Sequence, residues 1–117
     1  MASDKTTRAT ATASGSVAVL EITGDVTDGS EQAILAAYRQ LHSRNIRKLL
    51  LKFHPASFMN SAGIRVIIAL TFEAESRRQS IRVTGLSPHM QEIFGLMGLT
   101  NHLKIFGSEQ DALKGWK

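Results

Sequence analysis

The chain has 117 residues, 43% apolar and 21% charged, with no cysteine and a formal net charge of +4. That length suits one domain with a real core but not two, and the lack of cysteine excludes a disulfide framework and thiolate chemistry. No apolar run approaches the roughly 18–20 residues of a membrane span, and Met1–Lys5 lacks the basic-then-apolar pattern of an export signal, so a cytoplasmic protein is expected.

Residues 1–4 are expected to be loose. Lys5–Ala13 alternates threonine and alanine with weak strand character, Ser14-Gly15 supplies a turn, and Val17–Ile22 is a strong strand. Together they predict a hairpin whose first strand lies at an edge. Thr23–Ser30 reads as a loop in which Asp28 or Ser30 can cap the next helix. Ile34, Ala37, Tyr38 and Leu41 recur at helical spacing and predict that helix from about Ser30 to Ser43. Lys48–Phe53 is strand-like, and its consecutive Leu49, Leu50 and Leu51 fit a strand covered on both faces. His54–Ser57 breaks that strand.

The stretch Phe58-Met59-Asn60-Ser61-Ala62-Gly63-Ile64 then forms a strand-to-helix junction with a serine where the helix begins. A serine oxygen there can accept from a first-turn N–H that has no intrahelical partner. The same position favours an anion, so a phosphate on Ser61 would be well received. Cap and switch both remain open on these residues alone. The helix runs to about Gln79, with Ile64, Ile67, Ile68 and Thr71 on one face and Val66, Leu70 and Phe72 widening its apolar surface. Those three could be core or contact. Ile81–Thr84 is a strand closed by Gly85, and Ser87-Pro88 is a strong helix start. Met90, Ile93, Phe94 and Met97 give that helix an inner face, and Gly98 ends it. Leu103–Phe106 is a short strand. Ser108 and Asp111 open a last helix through Ala112, Leu113 and Trp116.

A hairpin followed by alternating helix and strand predicts an α/β domain over residues 5–117. Its small mixed, mainly parallel sheet carries the hairpin at its N-terminus and is flanked by about four helices. In such a sheet the loops leaving the strands' C-terminal ends gather where ligands and partners bind. Those loops are Thr23–Ser30, His54–Asn60 and Gly85–Pro88. Arg44, Arg47 and Lys48 gather at one helix-to-strand junction and Arg77, Arg78 and Arg82 at the next, which places them at the opposite end. The remaining basic residues are scattered, and one tyrosine with no aromatic-rich strand offers little for stacking bases, so no direct nucleic-acid partner is expected.

No catalytic residues emerge, and no enzyme is expected. His42, His54, His89 and His102 have no spacing that puts two on one helix face, so no metal site is expected. Asp25 and Asp28 are loop acids of the turn-forming kind. The glycines match no phosphate-binding loop or dinucleotide fingerprint, so no cofactor is implied. Ser61 as a nucleophile would need His54 or His89 as its base, and Asn60 and Ala62 do not make a nucleophile elbow.

Phe58–Ile64 resembles the signature loop of the STAS domain in bacterial anti-sigma-factor antagonists, usually aspartate-serine-serine/threonine-glycine-leucine. Thr23-Gly24-Asp25-Val26 resembles the family's glycine–acidic–aliphatic loop. Glu92–Leu99, with Ile105–Glu109 and Ala112-Leu113, is similar to its C-terminal pattern. The resemblance covers about Val17 to Leu113. It implies a non-enzymatic partner-switching protein whose unmodified form binds an anti-sigma factor that is also a serine kinase, releasing the sigma factor. Phosphorylation of the signature loop ends that complex, and a serine phosphatase resets it. The resemblance places the acceptor at Ser61 or the next position, and Ala62 has no hydroxyl. It also implies partner contacts by Met59, Asn60, Ser61, Ala62, Gly63, Asp25 and Thr27. Two residues depart from the family pattern. Asn60 stands where the family has aspartate, and Thr27 where it often has an acid. Both remove negative charge, which leaves open a STAS adaptor that is not phosphorylated and serves a signalling or membrane-transporter-associated complex.

Overall fold

The computed structural model describes residues 6–54 and 58–116. The expected loose segment 1–4, the first residue of the expected opening strand and the strand-breaking residues 55–57 lie outside them. The threonine–alanine alternation becomes an edge strand, β1 (Arg8–Ser14). Its Ala9, Ala11 and Ala13 pack on the core while Thr10 and Thr12 stay exposed. β1 pairs antiparallel with β2 (Val17–Thr23), Ser14 lying opposite Val17. β3 (Lys48–Lys52), β4 (Ser80–Thr84) and β5 (Lys104–Phe106) then add in chain order, each parallel to its neighbour. The helices are α1 (Glu31–Arg39), α2 (Ser61–Ser76), α3 (Pro88–Leu96) and α4 (Glu109–Leu113). The expected α/β fold is the one observed.

Right-handed crossovers between consecutive parallel strands place their helices on one face. Leu20, Leu49, Leu51 and Val83 accordingly share a core with Ile34 and Tyr38 of α1, Ile67 and Leu70 of α2 and Phe94 of α3. On the other face Leu50 and Val17 meet Ala112 of α4 and the following Trp116. Leu49, Leu50 and Leu51 are each fully buried, as a strand covered on both faces requires. Each contributes about 1.5–3 kcal/mol by leaving water.

Several boundaries differ from expectation, each for a local reason. α1 begins at Glu31 after a short 3-10 turn, Asp28–Ser30, and ends at Arg39. Neither Asp28 nor Ser30 caps it. The Ser30 hydroxyl turns back to accept the Thr27 N–H at 2.7 Å, and Asp28 Oδ1 takes the Gly29 N–H at 3.1 Å. α2 stops at Ser76 rather than near Gln79 because Gln79 is drawn into the interior. There it accepts from the Tyr38 hydroxyl at 2.7 Å and donates to the Ile46 carbonyl at 3.3 Å. Burial, with Glu73 adding to it, pushes the Tyr38 phenol up to about 12. Met97 lies past the end of α3 and is half exposed rather than inner, with Gly98 turning the chain at φ 78°. α4 ends at Leu113, short of Trp116. Ser87 and Ser108 are caps as expected, accepting from the N–H groups of Met90 at 3.2 Å and Asp111 at 3.1 Å.

Candidate functional site

The loops after β2 and β3 meet at the C-terminal end of the sheet through backbone contacts. Val26 and Met59 form a single parallel bridge. The Val26 N–H donates to the Phe58 carbonyl at 2.8 Å, and the Asn60 N–H donates to the Val26 carbonyl at 3.2 Å. Asp25 fastens the same edge, its Oδ1 accepting the Phe58 N–H at 3.1 Å. Behind Asp25, the Thr7 hydroxyl bonds both the Asp25 carbonyl and the buried Ser30 hydroxyl. The start of the chain's described part therefore braces the loop.

α2 then starts hard against Val26. A Cβ on Gly63 would stand 2.0 Å from the Val26 carbonyl oxygen and 3.1 Å from the Thr27 nitrogen, so only glycine allows this approach. The cap is Asn60. Its extended backbone and side-chain oxygen are those of an N-cap residue, and Oδ1 accepts the Gly63 N–H at 2.8 Å. Of the two roles left open for Ser61, the cap therefore falls to Asn60 instead: Ser61 is the first helical residue, and it is exposed. Its hydroxyl bonds no described residue, and neither do the N–H groups of Ser61 and Ala62. An amide capping as well as a carboxylate leaves the helix start without a negative charge. The serine hydroxyl and two N–H groups stay open to whatever approaches.

The structure thus brings together Asp25, Thr27, Met59, Asn60 and Gly63 around Val26, and sets Ser61 and Ala62 on their outer side. Met59 is half-buried against the core. Ala62 lies in a shallow groove with Asp28, Glu31, Arg65 and Ala69, acidic on the α1 side and basic on the α2 side. Val66 and Leu70 are core and cannot be contact residues, whereas Phe72 is 54% exposed, three turns along α2 from the loop. His54 Nε2 pairs with Glu21 Oε2 at 2.9 Å, and no hydrogen bond joins His54 or His89 to Ser61. The serine has no base among the described residues. Lys52, at the end of β3, is raised above the ordinary lysine pKa by its hydrogen bond to Glu109, 2.8 Å away.

Phe58 is the residue that sequence reasoning passed over. Its ring is 57% exposed although its N–H and carbonyl are both fastened. An aromatic between a strand breaker and a capped helix start was the available signal. Its exposure, with the backbone on both sides fastened, sets it apart from an ordinary core residue.

The family model described as Mlab, STAS domain matches residues 9–106. Two solved structures share the fold. An anti-sigma factor antagonist from Mycobacterium paratuberculosis is 18% identical with a TM-score of 0.77, and the match covers 97% of each chain. The anti-sigma factor antagonist SpoIIAA in its unphosphorylated form is 15% identical with a TM-score of 0.66, over 93% of this chain and 96% of that one.

Proposed function

The chain belongs to the STAS domain family, and from that premise we propose that it is an anti-sigma-factor antagonist switched by phosphorylation at Ser61. The observation that carries this reading is the division of labour at the start of α2. Asn60 holds the cap, so the Ser61 hydroxyl is exposed and has no hydrogen bond to a described residue. A serine needed for stability would be engaged. The likeness in fold to two anti-sigma factor antagonists, one described in its unphosphorylated form, supports the same role.

In this reading the partner, an anti-sigma factor that is also a serine kinase, docks on Phe58–Gly63 with Asp25 and Thr27 behind. The rigid backbone keeps the ordering cost of binding low. Phosphate on Ser61 adds about −1.5 to −2 charge. Within the domain the open N–H groups of Ser61 and Ala62 and the positive end of the α2 dipole accommodate it. In the docked interface it must be desolvated, which costs several kcal/mol unless a cation meets it. A loss of about 2.7 kcal/mol already weakens binding a hundredfold. A serine phosphatase returns the loop to its binding state.

The test is incubation with the kinase encoded nearest this gene and ATP, phosphate mapping by mass spectrometry, and titration of the two proteins. One phosphate on Ser61, tight binding by Ser61→Ala and at least a hundredfold weaker binding by Ser61→Asp are expected. No phosphate on Ser61, with Ser61→Asp binding unimpaired, would overturn the switch. A second reading rests on Asn60 and Thr27, which are uncharged at two positions where the resemblance has acids. It is a STAS adaptor that holds one partner constitutively, in a signalling or membrane-transporter-associated complex. A pull-down returning transporter components and no histidine-kinase-like ATPase favours it.

A further inference from the structure

The end of the sheet opposite Ser61 carries a second surface, outside the candidate site. Lys48 and Ser80 lie side by side at the starts of β3 and β4, so the segments entering those strands share this end. They carry Arg44, Arg47, Arg77 and Arg78, all exposed, and Lys104 is exposed at the start of β5. None of the five side chains has a hydrogen bond or ion pair to a described residue. Arg44 and Arg77 flank one polar cleft with Asn45, Ser76 and Gln79.

The neighbouring charges are already engaged. Arg82 lies over the rings of Trp116 and Phe106, 4.3 and 5.0 Å from their centroids, and Lys48 Nζ donates to the Trp116 carbonyl at 3.2 Å. Glu73 faces Arg39 at 3.7 Å and Glu75 faces His102 at 2.9 Å. These two acids are fewer than the five free cations here, whereas Asp25, Asp28 and Glu31 stand at the other end. Large apolar side chains are exposed on the same half. Leu96 (81%) and Met97 (50%) close α3, and Phe72 (54%) lies edge-on to His102. α3 starts beyond the end of β4 and its nine residues rise about 13 Å. Asn101 and His102, a few residues further on, line one cavity with Gln79 and Ser80 at the start of β4, which sets Leu96 and Met97 on this half.

We infer that this end docks on an anionic lipid bilayer, the free arginines meeting headgroup phosphates and Leu96 and Met97 entering the headgroup boundary. Cations beside exposed leucine and methionine fit such an interface. A nucleic-acid backbone would match the cations alone and leave the apolar side chains without a role. The opposite end, with Ser61, then faces away from the membrane and stays open to a protein partner.

Co-sedimentation of the full chain with phosphatidylglycerol–phosphatidylcholine vesicles, against phosphatidylcholine alone and against a DNA duplex, tests this. Binding is expected to the anionic vesicles only and to fall with added salt. With about fivefold in affinity per surface cation, the triple variant Arg44→Glu, Arg77→Glu, Arg78→Glu loses at least a hundredfold. The double variant Leu96→Asn, Met97→Asn, both exposed and so compatible with folding, loses about tenfold. Circular dichroism verifies the fold of each variant. Absence of vesicle binding, retention of DNA instead, or a loss under threefold in either variant overturns the inference. None of these outcomes depends on whether Ser61 is phosphorylated, so Ser61→Asp is expected to bind vesicles as the parent does.

Discussion

The two ends of this sheet are held by different means. At the Ser61 end backbone joints predominate, namely the Val26–Met59 bridge, the Gly63 approach to Val26 and the Gly85 approach to Phe53, where a Cβ would stand 1.8 Å from the carbonyl oxygen, and the Asp25 and Thr7 side chains reinforce them. At the opposite end buried and clamped side chains add to backbone bonds such as that from the Ser80 N–H to the Arg47 carbonyl. Tyr38 and Gln79 bond in the interior, and Arg82 is clamped between two rings and two carbonyls. Backbone joints leave outward side chains without structural duty, so Phe58 and Ser61 can be exposed at little cost in stability. Side-chain joints instead use up the groups that make them. What remains free at the far end is what the core did not need, a set of arginines at the strand entries.

Substitutions can break or sharpen this contrast, the largest effect coming first. Gly63→Ala puts a carbon on the Val26 carbonyl and is expected to cost about 3 kcal/mol or more. Denaturant unfolding measures it, and a cost below about 1 kcal/mol would mean that the Ser61 end does not depend on this approach. Tyr38 probes the other end through pH. Its pKa is raised from 10.0 to about 12. The unfolded chain therefore ionises first, and the stabilisation, fully present below pH 10, is lost as pH rises through 12. The loss is about 2–3 kcal/mol. Tyr38→Phe should flatten that alkaline decline. At neutral pH it should cost about 1–2 kcal/mol, because the Gln79 oxygen loses its donor. Asn60→Ala is expected to cost about 1 kcal/mol, matching Ser87→Ala at the start of α3, since each removes one cap. Ser61→Ala should change stability by less than about 0.5 kcal/mol. A Ser61→Ala cost equal to that of Asn60→Ala would return the serine to a structural role.

Much of the fold was legible because it rests on local patterns. Leu49–Leu51 announced a doubly covered strand, Ser87-Pro88 a capped start, and the Thr–Ala alternation an edge. The candidate site was legible as a stretch but not in its internal roles. Asn60 and Ser61 are both acceptable caps by residue type, and the choice turned on which of them keeps an extended backbone when α2 is pressed against Val26. Val66, Leu70 and Phe72 looked alike in the sequence. Helical spacing puts all three outside the main stripe, and only the positions of neighbouring elements bury the first two and leave the third exposed.

The sequence by itself determined the order and type of the elements, the α/β class, the caps of α3 and α4 and the place of the candidate loop. These rest on periodicity, backbone preference and side chains bonding their own first turn. The tertiary structure alone decided that Asp25 holds the Phe58 amide, that Thr7 braces Ser30, that Gly63 must be glycine, and that Ser61 has no capping duty. Each of those depends on two segments, usually far apart in the chain, coming within a few ångströms. That distance is set by how the sheet stacks its helices, and no local pattern encodes it.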